Sequence, residues 1–121
     1  MIPKINLLEK FQLFSDHWSP KIIGVLNGQL IKIAKIQDEF IWHSHAEEDE
    51  LFMVVKGTLY MDFHDGAQVI QPGEILVVPK GVEHRPRTGG EEVFILMIEP
   101  ATTLNTGNQV NERTVEELDW I

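Results

Sequence analysis

Three histidines and one glutamate stand at intervals suited to metal chemistry. His43 and His45 flank Ser44, Glu50 follows after four residues and Gly57 after six more, giving H-x-H-x4-E-x6-G. Fifteen residues separate Gly57 from Gly73, which opens a second run, G-x5-P-x-G-x2-H, through Pro79 and Gly81 to His84. A His-x-His alone is as often a pair of surface histidines on an edge strand. All eight positions together should coincide by accident in fewer than roughly one in a million chains of this size. Three imidazoles and a carboxylate offer nitrogen and oxygen donors to one ion, and with no cysteine in the chain no sulfur ligand is available.

Side chains alternate across a strand, so His43 and His45 share a face and can converge on one ion. The acidic stretch Ala46-Glu47-Glu48-Asp49 permits a reversal, Glu50 opens the returning strand, and His84 follows the Pro79–Gly81 turn. The remaining coordination positions would be open to water or substrate. Such a set accepts Fe(II), Mn, Co, Ni, Cu or Zn. The expected cofactor is a divalent transition metal, Fe(II) or Mn first, with Ni or Zn in recombinant preparations. Ligating histidines must be neutral, so binding should fade below about pH 6.

Other polar residues compete for a role. Arg85 and Arg87 bracket Pro86, and an Arg pair can clamp a carboxylate or phosphate. Alternation places them opposite His84, which favours surface ion pairs with Glu47, Glu48 or Glu83. Tyr60, Thr88 and Glu39 fall on inward phases and are candidate proton donors or base. His17, at the end of an apparent helix, and His64, before a hairpin turn, read as structural or solvated. No catalytic residue is assigned.

Positioning these groups requires a rigid frame. From Ile22 to Glu99 short apolar runs alternate with turn residues, at 22–26, 29–36, 40–45, 50–56, 58–63, 67–71, 75–78, 82–86 and 92–99, which predicts eight or nine strands in a double-sheet jelly roll. Asp65-Gly66 predicts a hairpin, and Pro72-Gly73 and Pro79-Lys80-Gly81 predict turns. Residues 6–18 predict a short helix packed on the barrel, capped by Asn6 and Glu9 and ended by Ser19-Pro20. Thr114-Val115-Glu116-Glu117 in the tail, residues 100–121, opens a short final helix or an ordered tail. Leu51, Met53 and Val55 on one face, with Phe52 and Val54 on the other, leave an outer apolar surface, to which Trp42 adds. The helix covers part of it, and a two-fold homodimer is expected to cover the rest.

The 121 residues suit one domain, 1–121, with a motif-bearing core at about 37–99. A formal charge of −9 with no basic face argues against nucleic-acid binding. No apolar run approaches the eighteen or more residues of a membrane span, and the N-terminus lacks the layout of a secretory signal, so a cytoplasmic protein is expected.

The double motif resembles the two signature motifs of the cupin superfamily, β-barrels that usually hold one metal ion. The resemblance covers about residues 37–99, with Gln37 where the family usually has glycine and Thr88 where it usually has asparagine. The flanks, Pro79 to Pro86 and Glu99-Pro100 leading into Leu104-Asn105-Thr106-Gly107, resemble short single-domain cupins loosely named mannose-6-phosphate isomerase-like. The resemblance implies an all-β, cupin-type double-stranded β-helix with metal on His43, His45, Glu50 and His84. It also implies a small metalloenzyme acting on an oxygen-rich small molecule, by dioxygenase or sugar isomerase chemistry. Acids around the mouth would repel a sugar phosphate. A non-catalytic binding or sensing module, holding a small-molecule ligand in the same cavity, is the alternative, because unrelated functions share this barrel.

Overall fold

Asn27 and Gly28, with φ of 48° and 78°, turn the chain between β1 (Lys21–Leu26) and β2 (Gln29–Ile36). Positive φ at both central residues is what a two-residue type I′ hairpin requires. The computed structural model describes residues 1–121. It continues through β3 (Glu50–Lys56), β4 (Leu59–Phe63), β5 (Gly66–Ile70), β6 (Ile75–Val78), β7 (Arg85–Arg87), β8 (Val93–Pro100) and β9 (Asp119–Trp120). Six strands form one sheet in the order β6-β3-β8-β2-β1-β9, and three form the other in the order β5-β4-β7. Between the sheets lie Ala34, Ile36, Phe52, Val54, Leu59, Met61, Ile70, Val78, Val93, Ile95 and Met97. Burial of each large side chain here contributes about 1.5–3 kcal/mol. The predicted double-sheet barrel is thus the observed architecture.

Several elements differ from the sequence prediction, each for a local reason. Residues 40–45 form no strand. Glu39 pairs with Arg87 and His43 with His84, so four steps on one side face three on the other, and the extra residue breaks the ladder. The run predicted at 82–86 is replaced by the shorter β7, which begins later and ends at Arg87, with His84 left as an isolated bridge to His43. The β4–β5 turn lies at His64-Asp65, one residue earlier than predicted, because Gly66 already pairs with Phe63.

The helix α1 spans only Leu7–Phe11, with the Asn6 side chain accepting from the Glu9 amide as predicted. It stops short of Trp18 because the chain there leaves the helical region, with φ of 57° at Trp18, and docks on β2. The Trp18 amide donates to the Lys35 carbonyl at 3.0 Å, and His17 bridges Lys35 in parallel. His17 therefore ends no helix; it pairs with Glu92 at 2.6 Å. Phe11 stacks on Phe94 at 4.4 Å and joins Ile23, Ile33 and Leu96 in a second core on the outer face of the large sheet.

No final helix forms at residues 114–117. The Thr114 hydroxyl is taken by Thr106 Oγ1 at 2.6 Å and by the Asn111 amide at 3.0 Å, so it caps nothing. The tail is ordered instead, and β9 adds to β1 in parallel, Lys21 opposite Asp119 and Ile22 opposite Trp120. Lys10 Nζ donates to the Ile121 carbonyl at 2.6 Å, tying the tail to the helix.

Candidate metal centre

His43 and His84 come from segments far apart in sequence, and their backbones exchange two hydrogen bonds. The His43 amide donates to the His84 carbonyl at 3.0 Å, and the His84 amide returns one at 2.9 Å. This reciprocal pair sets the two imidazoles 4.4 Å apart, centroid to centroid. His45 is held by the turn that precedes His84, since its carbonyl accepts from the Gly81 amide at 2.7 Å. Gly81 has φ of 82°, a conformation that glycine reaches without steric cost. Asp49 Oδ1 accepts from the Lys80 amide at 2.8 Å, fastening the acidic reversal to the same turn just before Glu50 opens β3.

The structure brings all four sequence-predicted residues together. Each offers a donor atom, and these atoms lie within 4.8 Å of one another. All four are buried, with exposures of 3% for His43, 4% for His45, 3% for Glu50 and 0% for His84. Nδ1 of His43 contacts the Ile41 carbonyl and Nδ1 of His84 the Val82 carbonyl, each at 2.9 Å. A carbonyl can only accept, so both rings carry the proton on Nδ1 and leave Nε2 with a free lone pair.

Glu50 Oε1 approaches His45 Nε2 at 2.8 Å and His84 Nε2 at 3.3 Å. The contacts are close but poorly aimed, and Glu50 Oε1, His84 Nε2 and both ring nitrogens of His45 are left without a hydrogen-bond partner. Orphaned buried polar atoms are rare and costly. A cation at their point of convergence would satisfy Glu50 Oε1 and both Nε2 atoms at once, so the donor set fits a metal ion.

Electrostatics agree with that fit. Burial, and then the neighbouring His84 ring, push His43 down to about 4, which keeps it neutral as a ligand must be. Burial alone would raise Glu50, but the adjoining Glu99 carboxyl and the His45 and His84 rings together outweigh it and hold the carboxyl well below the usual range. Glu99 goes the other way. Burial lifts it well above the ordinary carboxylate value, the facing Glu50 adds to the effect, and Lys32 offsets only part.

A cavity of about 40 Å³ adjoins the cluster, room for about three waters. His43, Glu50, Glu99 and Asn105 supply its polar surface, and Trp18, Phe40, Phe52 and Met97 are among its apolar walls. Trp18, read from sequence as helix packing, stacks on Phe40 at 4.7 Å inside this wall. Asn105 is committed to the tail: its Nδ2 donates to the Arg113 carbonyl and its Oδ1 accepts from the Val115 amide, both at 2.8 Å. The tail closes in beside the cluster at Gly107, where an added Cβ would collide with the Ser44 carbonyl.

The other sequence candidates lie elsewhere. Tyr60 faces outward beneath Arg87, 4.7 Å from its guanidinium, because Leu59 and Met61 take the inward positions. Thr88 Oγ1 accepts from the Asp38 and Gly90 amides and so serves a turn. Glu39 is exposed and meets Arg85 at 3.5 Å. Arg85 and Arg87 lie away from His84 as predicted, but both bind Asp62 Oδ2, at 3.0 and 2.8 Å, rather than Glu47, Glu48 or Glu83. Trp42 points away from the cluster and stacks on His64 at 4.8 Å. His64 is exposed and pairs with Glu83 at 2.8 Å. Glu99 and Lys32 escape sequence reasoning; the one usable signal is a charge inside the apolar runs of β8 and β2.

Residues 25–99 match the Cupin_2 family, described as Cupin domain. A cupin-2 domain containing protein from Shewanella frigidimarina is 48% identical and superposes with a TM-score of 0.78, covering 79% of this chain and 93% of that one. The uncharacterized protein YdbB of Bacillus subtilis is 37% identical over 67 residues, 54% of this chain and 59% of YdbB. Germin-like protein subfamily 3 member 4 of Arabidopsis thaliana is 34% identical over 79 residues, 61% of this chain and 34% of that protein. The chain thus spans less than two thirds of the length of either curated relative.

The depressed His43 has a consequence that NMR can read. An unfolded imidazole takes up a proton near 6.5, whereas folded His43 does so only at about 4. This residue therefore subtracts stability as pH falls through that window, by up to about 3 kcal/mol, and adds no pH dependence above it. In metal-free protein the His43 ring resonances should titrate with a midpoint near 4; a midpoint of about 6 or higher would contradict its burial.

Proposed function

The chain belongs to the cupin domain family, and from that premise we propose that it is a mononuclear metalloenzyme with its ion on His43, His45, Glu50 and His84, acting on a small molecule. The observation that carries this reading is the set of buried donor atoms that converge with no other partner. When bound, a divalent transition ion, Fe(II) or Mn first, would supply Lewis-acid polarisation or oxygen activation. The chain's own part is to hold His43 and His84 in the Nδ1-protonated form, to keep Glu50 ionised, and to exclude bulk water with Trp18, Phe40, Phe52 and Met97.

Between the two reaction types, the cavity favours oxygen-dependent chemistry over isomerisation of a sugar phosphate. Drug-sized ligands occupy clefts of about 300–1,000 Å³, well above the about 40 Å³ beside this cluster. A separate hollow that reaches His45 is lined by Glu47 and Glu48, which repel phosphate. A compact substrate with an apolar body and one or two oxygens fits better. The same apolar wall also suits a non-catalytic ligand-binding module, the second reading.

We further propose a homodimer. On the outer face of β3 and the edge strand β6, Leu51 stands beside Val77 and Met53 beside Ile75, with Val77 52% and Ile75 60% exposed. An apolar edge of this kind invites a second copy.

Iron(II)-loaded protein should consume oxygen with small phenols or enols and leave hexose phosphates unchanged, and His45→Ala should abolish both metal retention and turnover. Isomerisation of a hexose phosphate would overturn the oxygen-dependent reading, and tight binding without turnover across the panel would favour the binding module. Sedimentation should give twice the chain mass; a monomer at high concentration would refute the dimer.

A further inference from the structure

Lys32 and Glu99 form an ion pair in the interior, Nζ to Oε1 at 2.7 Å, with each side chain 2% exposed. Such a pair is weak grounds for stability, since apolar residues of similar volume often serve a core as well or better. Its position points to another task. In the β3–β8 ladder Leu51 stands opposite Ile98 and Phe52 opposite Met97, so the next rung sets Glu50 opposite Glu99. Carboxylates directly across a sheet repel one another unless a cation or hydrogen bond intervenes. Lys32 is the cation supplied by the chain: it faces Met97, one step diagonal from the Leu30–Glu99 rung. Glu50 and Glu99 line the same cavity, and Glu99 Oε2 has no hydrogen-bond partner of its own.

The terminal torsion of a glutamate is broad, so burial alone does not decide which oxygen of Glu50 is presented to the imidazoles. We propose that Lys32 and Glu99 are a positioning pair for Glu50: Lys32 anchors Glu99, and the Glu99 carboxyl fixes that of Glu50 so that Oε1 faces His45 and His84. The inference rests on the ligand set proposed above. It makes the metal's affinity and coordination geometry, rather than the fold, depend on two residues that do not contact the ion. Outer partners of this kind typically change metal affinity about 10- to 100-fold when removed.

Co(II) is a suitable probe, read by chelator competition and by its visible spectrum in the full chain. Glu99→Gln keeps the side-chain length and the Lys32 contact, its carbonyl accepting from Nζ and its amide free to donate towards Glu50, and should bind Co(II) within about threefold of the parent with the same spectrum. Glu99→Asp keeps the charge but, one methylene shorter, withdraws the carboxyl from Glu50, and should lose about 10- to 100-fold with an altered spectrum. The apolar double variant Lys32→Met/Glu99→Leu should lose as much while melting no lower than the parent. If Glu99→Asp and the double variant bind Co(II) like the parent with an unchanged spectrum, the pair is merely structural and the proposal fails. If the double variant does not fold, Glu99→Asp decides alone. A parent protein that takes up no Co(II) would overturn the ligand set and this inference together, whereas a parent that binds while the variants match it overturns only this one.

Discussion

Two reciprocal backbone hydrogen bonds between His43 and His84 are the constraint on which the rest of the site depends. They join the irregular arch before β3 to the start of β7, across more sequence than any local motif spans. Once those bonds form, each ring follows from its own backbone, because the carbonyl two residues earlier takes the Nδ1 proton. Gly81 then reaches the His45 carbonyl, and Asp49 reaches the Lys80 amide, so the third imidazole and the carboxylate are drawn to the same point. The bulge that breaks the 39–43 ladder belongs to this arrangement. A regular strand there would carry the 39–87 register on and leave His43 without His84 as its partner.

The inner end of the barrel carries more polarity than a core of this size normally does. Three imidazoles, two carboxyls and an ammonium lie beside Phe52, Ile95 and Met97, and several of their atoms are orphaned. Apolar packing between the sheets and under α1 stabilises the frame that keeps these groups dry. A cation at the cluster would remove most of the imbalance, since Glu50, His45 and His84 direct their unmatched lone pairs at one another. Glu99 and Lys32 are left as a second layer, linking the cluster to the strand that pairs with β1.

Much of this was legible in the sequence because its signals are local. Histidines at i and i+2 share a face whatever the strand does, and glycines at turns announce themselves, so the convergence of His43, His45, Glu50 and His84 and the double-sheet barrel could be read directly. The misses have physical causes. The sequence reading puts Tyr60, Thr88 and Glu39 inward, but on the regular strand β4 Leu59 and Met61 claim the inner face from Tyr60, a bulge intervenes after Glu39, and the Thr88 hydroxyl is spent on a turn. The aromatic spacing of residues 7–18 looked helical, yet beyond Phe11 the chain pairs with β2 instead, and Trp18 becomes part of the cavity wall. Glu99 and Lys32 stand 67 residues apart, and only the strand order β3-β8-β2 makes neighbours of them and Glu50.

The most direct test of the central claim is metal analysis of protein purified from its own host, combined with X-ray absorption at the edge of whatever ion is found. One ion per chain, with backscattering from three imidazole rings and one carboxylate, is the expected result. Protein that carries no ion and cannot be loaded, or an ion that shows no imidazole scattering, would contradict it.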